Sequence, residues 1–119
     1  MDWNYIQQFH RNPPDNQLLR HPLIQNQAIA WMKHKDNINV LKKELMLDKT
    51  PWVITPNKFP YHFIDKTKHL IFWSNNSINY DELEKIIQEN TDFKNYIFFE
   101  NKKNNKSIPE IHHAHIFII

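Results

Sequence analysis

The chain has neither glycine nor cysteine among its 119 residues. Average usage of about 7% would supply roughly eight glycines. Their absence excludes every phosphate loop that depends on glycine, the P-loop and the dinucleotide fingerprint included. Left-handed turn positions should then fall to Asn and Asp, the next most tolerant residues. Without cysteine there is no disulfide, no thiolate metal site and no thiol nucleophile. No apolar run approaches the roughly 18 residues of a membrane span. The start, Met1-Asp2-Trp3-Asn4, lacks the basic-then-apolar pattern of a signal peptide. Charge of one sign is missing too. The 15 Lys and Arg against 13 Asp and Glu leave a formal +2 with the signs interspersed, which argues against nucleic acid as an obligate partner. The expectation is a soluble cytoplasmic protein with no membrane partner. Asn, Lys and Ile, with AT-rich codons, are abundant, as in AT-biased genomes such as those of large DNA viruses and parasites. A viral product would work in the host cytoplasm or the virion.

What is present is apolar and aromatic: 40% hydrophobic residues, with eight Phe and four Trp. That suffices for one globular domain spanning 1–119. Residues 1–48 read as helical. Trp3, Ile6 and Phe9 recur every third residue until Asn12-Pro13-Pro14-Asp15 stops them. His21-Pro22 opens a second helix whose Leu23, Ala28, Trp31 and Met32 can share one face. A third starts near Asp36, with Val40, Leu41, Leu45 and Met46 as its apolar stripe.

Residues 50–119 read as the sheet-forming core. Pro51–Ile54 is a short strand ending in the turn Thr55–Lys58, and Lys68–Trp73 is a second strand. Ser77 or Asn79 caps a helix running to about Asn90, with Leu83, Ile86 and Ile87 buried. Tyr96–Glu100 is a third strand, Asn101–Lys106 a polar loop, and the histidine-rich end a fourth strand. The order predicts an α+β fold: a small, mostly antiparallel β-β-α-β-β sheet under an N-terminal helical layer.

Three of the eight histidines lie in His112-His113-Ala114-His115. Strand alternation puts His113 and His115 on one face with Ile111 and Phe117, and His112 on the other with Ala114, Ile116 and Ile118. Two imidazoles on one face can bind a metal, bind a phosphate or attack one. His-x-His suits zinc or another divalent cation if His69, His62 or Glu110 supplies a third ligand. Lys102, Lys103 and Lys106 can contact phosphate or form a solvated loop, and Trp52, Phe59 and Tyr61 can stack on a base or anchor a turn. A bland alternative stays open throughout, in which these histidines are simply packed core.

Asn57-Lys58-Phe59-Pro60-Tyr61, His69 opening a Trp-containing strand, Phe98-Phe99-Glu100-Asn101, and Ser107-Ile108-Pro109 before the His-x-His strand follow one another in order. In this pattern residues 50–119 resemble the family of N-acetylglucosamine-induced proteins of fungi, the helical first third matching only loosely. The same order of parts is similar, more remotely, to the histidine-triad superfamily, with Phe117 where that superfamily has a third His or a Gln. There the second His of His-x-His attacks the α-phosphate of a nucleotide. The resemblance implies His115 as nucleophile, His113 as its supporting partner, and Asn57, His69, Asn101 and Ser107 as ligand-binding residues. The expected ligand is a nucleotide or a phosphorylated sugar, with transfer or hydrolysis as the reaction. A non-catalytic module engaging a protein partner and a metal-dependent enzyme are the alternatives.

Overall fold

A computed structural model describes residues 1–34 and 36–119. Helix α1 (Trp3–Ile6) continues directly into a 3-10 turn, Gln7–Phe9, and the tighter winding accounts for the three-residue spacing of Trp3, Ile6 and Phe9. Helices α2 (Pro22–Met32) and α3 (Asp36–Leu45) follow. Strands β1 (Trp52–Pro56) and β2 (Lys68–Ser74), helix α4 (Tyr80–Asn90), and strands β3 (Tyr96–Phe99) and β4 (His112–Ile118) complete the α+β fold. All pairings are antiparallel, in the order β1-β2-β4-β3. Among the described residues no helix is long and apolar enough to cross a membrane.

The central pair β2 and β4 is buried on both faces, which is why β2 reads as a nearly continuous apolar run and β4 carries no carboxylate, lysine or arginine. One face carries Phe72, Phe98, Ala114 and Ile116, packed against Leu83 and Ile87 of α4. Helix α4 starts where Asn79 accepts a hydrogen bond from the Glu82 N–H (2.8 Å). The opposite face carries two clusters. Ile71, Trp73 and Ile111 meet Leu41 and Leu45 of α3, while Ile97, Phe99 and Phe117 meet Ile6 and Tyr61. The N-terminal segment also borders the β3 edge. The Arg11 N–H donates to the Phe98 carbonyl (2.8 Å), and the Phe98 N–H donates to His10 Nδ1 (3.1 Å).

Several sequence expectations are corrected. Of the proposed α2 face only Ala28 is buried, and Leu23 is 66% exposed. In α3, Leu41 and Leu45 are buried while Val40 and Met46 are exposed, because Met46 lies past the helix end. Among the described residues the left-handed positions are Arg11 (φ 57°) and Met46 (φ 54°), not Asn or Asp. At Met46 the conformation closes α3: its N–H donates to the Lys43 carbonyl and its own carbonyl accepts from the Thr50 N–H. At Arg11 it aims the backbone at β3, and the guanidinium meets Asp81 at 2.8 Å. Strand β1 extends through Pro56, beyond the predicted end at Ile54. Pro is tolerated there because β1 is an edge strand and the missing N–H is not needed by the sheet.

Candidate functional site

The alternation of β4 is as expected: His113, His115 and Phe117 share the face of Ile71 and Trp73, and Ala114 and Ile116 share the face of α4. The β2–β4 register sets Ile71 opposite His115, Trp73 opposite His113 and His69 opposite Phe117. His69 is therefore the diagonal neighbour of His115, within reach of a long side chain. Its Nε2 lies 2.7 Å from His115 Nδ1, although the residues are 46 apart in sequence. All three imidazoles are buried, at 5% exposure for His69 and His115 and 6% for His113.

The segment predicted as Asn-Lys-Phe-Pro-Tyr wraps this pair. Asn57 Oδ1 accepts from the Phe59 N–H (2.8 Å), a local turn that leads the Tyr61 N–H to His69 Nδ1 (3.1 Å). Asn57 Nδ2 rests 3.3 and 3.4 Å from the two ring nitrogens of His69. The Tyr61 ring stacks beside His115 at 5.6 Å and beside His69 at 4.5 Å. At the far end Asn101 Nδ2 lies 3.0 Å from His115 Nε2 and 3.5 Å from Tyr61 Oη.

One backbone donor settles the protons of this chain. Because the Tyr61 N–H points at His69 Nδ1, that nitrogen must be bare, and a neutral His69 then carries its proton on Nε2. His69 donates to His115 Nδ1, so His115 carries its proton on Nε2. The group facing His115 Nε2 must accept, which requires the Asn101 amide oxygen in the position of its nitrogen. The two are exchanged by a half-turn of the amide. The oxygen can then accept from Tyr61 Oη as well. An imidazolium at either histidine would set one N–H against another. Burial pushes both pKa values well below the usual histidine value, and each group's neighbouring His and Arg20 push in the same direction.

His113 differs. Its Nδ1–H donates to the Ile111 carbonyl (2.8 Å), leaving Nε2 bare and, among the described residues, without a hydrogen-bond partner. Burial lowers its pKa, with the Ile111 bond opposing. It packs on Trp73 at 5.0 Å, whose Nε1–H donates to Thr55 Oγ1 (3.0 Å).

A cavity of about 580 Å³ lies between this face of the sheet and helices α2 and α3. Asn57, Asn101, Ser107, His113 and His115 all border it, and His69 stands behind His115. The sequence reading missed the cavity's other side. Arg20, Trp31 and Trp73 also border it; Trp31 and Trp73 carried a signal only as apolar positions of α2 and β2, and Arg20 carried none. Other candidates fall elsewhere. Lys102 pairs with Asp15, and Lys106 with Glu100. Trp52 stacks on Phe72 on the opposite face, at 5.9 Å. His62 lies beside His21, and Glu110 lines a different hollow. Among the described residues no three His, Asp or Glu side chains are grouped as metal ligands would be.

Residues 2–92 match the family described as "Protein of unknown function (DUF3605)". The chain belongs to this family. The DUF3605 match takes in the helical first third and stops before Asn101 and the His-x-His strand. No curated protein matches the chain. Among solved structures, the crystal structure of HTC1 is similar, with a TM-score of 0.62 at 18% identity over 86% of this chain and 76% of that one. At that identity the likeness concerns the fold.

Proposed function

We propose that this DUF3605 protein binds a nucleotide or a phosphorylated sugar in the cavity beneath α2 and α3, and that His113 is the group that acts on it. One observation carries the reading: among the described residues, of the histidines bordering the cavity His113 alone has a bare, unpartnered ring nitrogen. A volume of about 580 Å³ suits a small organic ligand, and an apolar lining with a few convergent polar groups is the usual make-up of such sites. The role assigned by position to His115 moves to His113, because both nitrogens of His115 are engaged. His69, His115 and Asn101 become the rigid support behind it.

A neutral imidazole is a competent nucleophile or base near pH 7. In transfer from a phosphate ester, His113 Nε2 forms an N–P bond as the ester P–O bond breaks. The departing oxygen keeps the electron pair and takes a proton from solvent, and water then hydrolyses the phosphoimidazole. Thermal-shift screening against nucleotides and sugar phosphates tests the binding. A labelled phosphate ester should trap an adduct that is lost in His113→Gln and kept in His112→Ala. Labelling that survives in His113→Gln and vanishes in His115→Gln would return the nucleophile to His115. A second reading, a protein-interaction module, draws on the apolar side chains that Leu19, Leu23, Ile29 and Met32 expose on and just before α2. A stoichiometric partner that co-purifies and is lost in Leu23→Asp would favour it.

A further inference from the structure

The geometry points to a ligand with a flat aromatic body and one terminal oxyanion, such as a nucleoside 5′-monophosphate, with Arg20 holding the oxyanion. This rests on the cavity being a ligand site and names the class of ligand. A phosphate brought into a mostly apolar cavity needs a cation, and the histidines do not supply it. His69 and His115 are held neutral by their hydrogen bonds, and His113 with its bare Nε2 lone pair carries no positive charge to set against an anion. Of the loop lysines, Lys102 and Lys106 are committed to Asp15 and Glu100, and Lys103 is exposed and does not border the cavity. Lys58 is tied to Glu44 at 2.9 Å, and Lys33 is exposed at the rim.

Arg20 remains. It is half-buried, borders the cavity, and has no carboxylate within ion-pair distance among the described residues. Its Nε–H donates to the Phe59 carbonyl (2.6 Å) and one Nη1–H to Gln25 Oε1 (3.2 Å), both neutral acceptors. The guanidinium lies over the Tyr61 ring at 5.3 Å. A guanidinium has five donors in a planar fork, so several stay available for a two-point grip on phosphate or carboxylate. Burial lowers the Arg20 pKa, and among the causes only Tyr61 beneath the guanidinium opposes this. The charge has been taken partly out of water without a counter-charge, and an anionic ligand would provide one.

The body of the ligand follows from the remaining wall. Trp31, Phe59, Ile71, Trp73 and Ile108 line it with aromatic and aliphatic side chains, which suit a base or another flat ring. A bare sugar phosphate would leave several hydroxyls facing apolar carbon, each without the hydrogen bond it has in water. A triphosphate would set further charges against one buried cation.

The test is calorimetric titration of the intact protein with adenosine 5′-monophosphate, adenosine, naphthalene-2-carboxylate, glucose 6-phosphate and inorganic phosphate, with Arg20→Gln and Arg20→Lys alongside. The monophosphate should bind at least about tenfold more tightly than adenosine, and Arg20→Gln should remove that margin, as loss of a charged hydrogen-bonding group implies. Naphthalene-2-carboxylate reports whether carboxylate serves as well as phosphate; its binding with the same Arg20 dependence supports the proposal. Glucose 6-phosphate binding while the aromatic anions do not would overturn the ligand class and leave the cavity reading standing. Silence from every probe would end both. If Arg20→Gln does not fold, the wild-type ratio decides: equal affinity for adenosine and its monophosphate refutes a role for Arg20. Monophosphate binding unchanged in a folded Arg20→Gln refutes it as well.

Discussion

Acidification should destabilise this fold earlier than its carboxylates can explain, because His69 and His115 are locked neutral. Each has a folded-state pKa well below the ordinary histidine value, whereas in the unfolded chain each titrates near 6.5. Below that pH the unfolded state binds protons that the folded state refuses. The stability contribution is thus fully present above pH 6.5 and is lost as pH falls. If both imidazoles stay neutral in the folded protein down to pH 5.5, the loss between pH 7.5 and 5.5 is about 1.4 kcal/mol each, or about 2.7 kcal/mol for the pair. That is a large share of a typical margin of roughly 5–15 kcal/mol. Unperturbed carboxyl groups titrate near pH 4, below this window, and burial lowers His113 in the same direction, so the loss belongs to buried histidine. Urea unfolding followed by tryptophan fluorescence at pH 7.5, 6.5 and 5.5 measures it. A free energy unchanged to within about 0.5 kcal/mol would refute the reasoning. Nitrogen-15 NMR of the histidine rings gives an independent check: His69 and His115 should both be neutral with the proton on Nε2, and a proton on Nδ1 of either would break the proton assignment.

Three further outcomes follow from single contacts, each read by the same unfolding assay. Asn101→Leu removes the group facing His115 Nε2–H and should cost about 1–3 kcal/mol, the penalty of an unsatisfied buried donor. Asn79→Ala deletes the cap that accepts from the Glu82 N–H and should cost about 1 kcal/mol. Met46→Gly should stabilise the protein by roughly 1 kcal/mol, since Met46 is left-handed and half exposed and glycine adopts that conformation without strain. A destabilised Met46→Gly would mean that the side chain contributes packing beyond its visible burial.

The sheet was the legible part. Alternation in β4 and the apolar run of β2 gave both faces, and Asn79 with Glu82 gave the start of α4. The proximity of His69 to His115 was anticipated only through the resemblance and as one optional third metal ligand, since register across 46 residues is not a local property. The proton assignment was out of reach because it turns on the backbone N–H of Tyr61, an atom no residue pattern reports. The contribution of α2 was misread for a different reason. Its apolar residues border a cavity as well as a core, so Met32 at the cavity is exposed where periodicity alone would bury it, and Leu23 is exposed away from both. Arg20 gave no signal, because a cation outside any charge cluster reads as ordinary surface until a wall is seen to form around it.

The two hydrogen bonds that tie His10 and Arg11 to Phe98 bear on how the protein behaves at high concentration. A β-sheet ends in rows of unpaired donors and acceptors that invite another sheet. Here the β3 row is blocked by a segment from the opposite end of the chain, and the β1 row runs out at Pro56, which has no N–H to offer. The first eleven residues are therefore a guard against polymerisation as much as a part of the core. Proteolytic trimming there would first appear as association through β3.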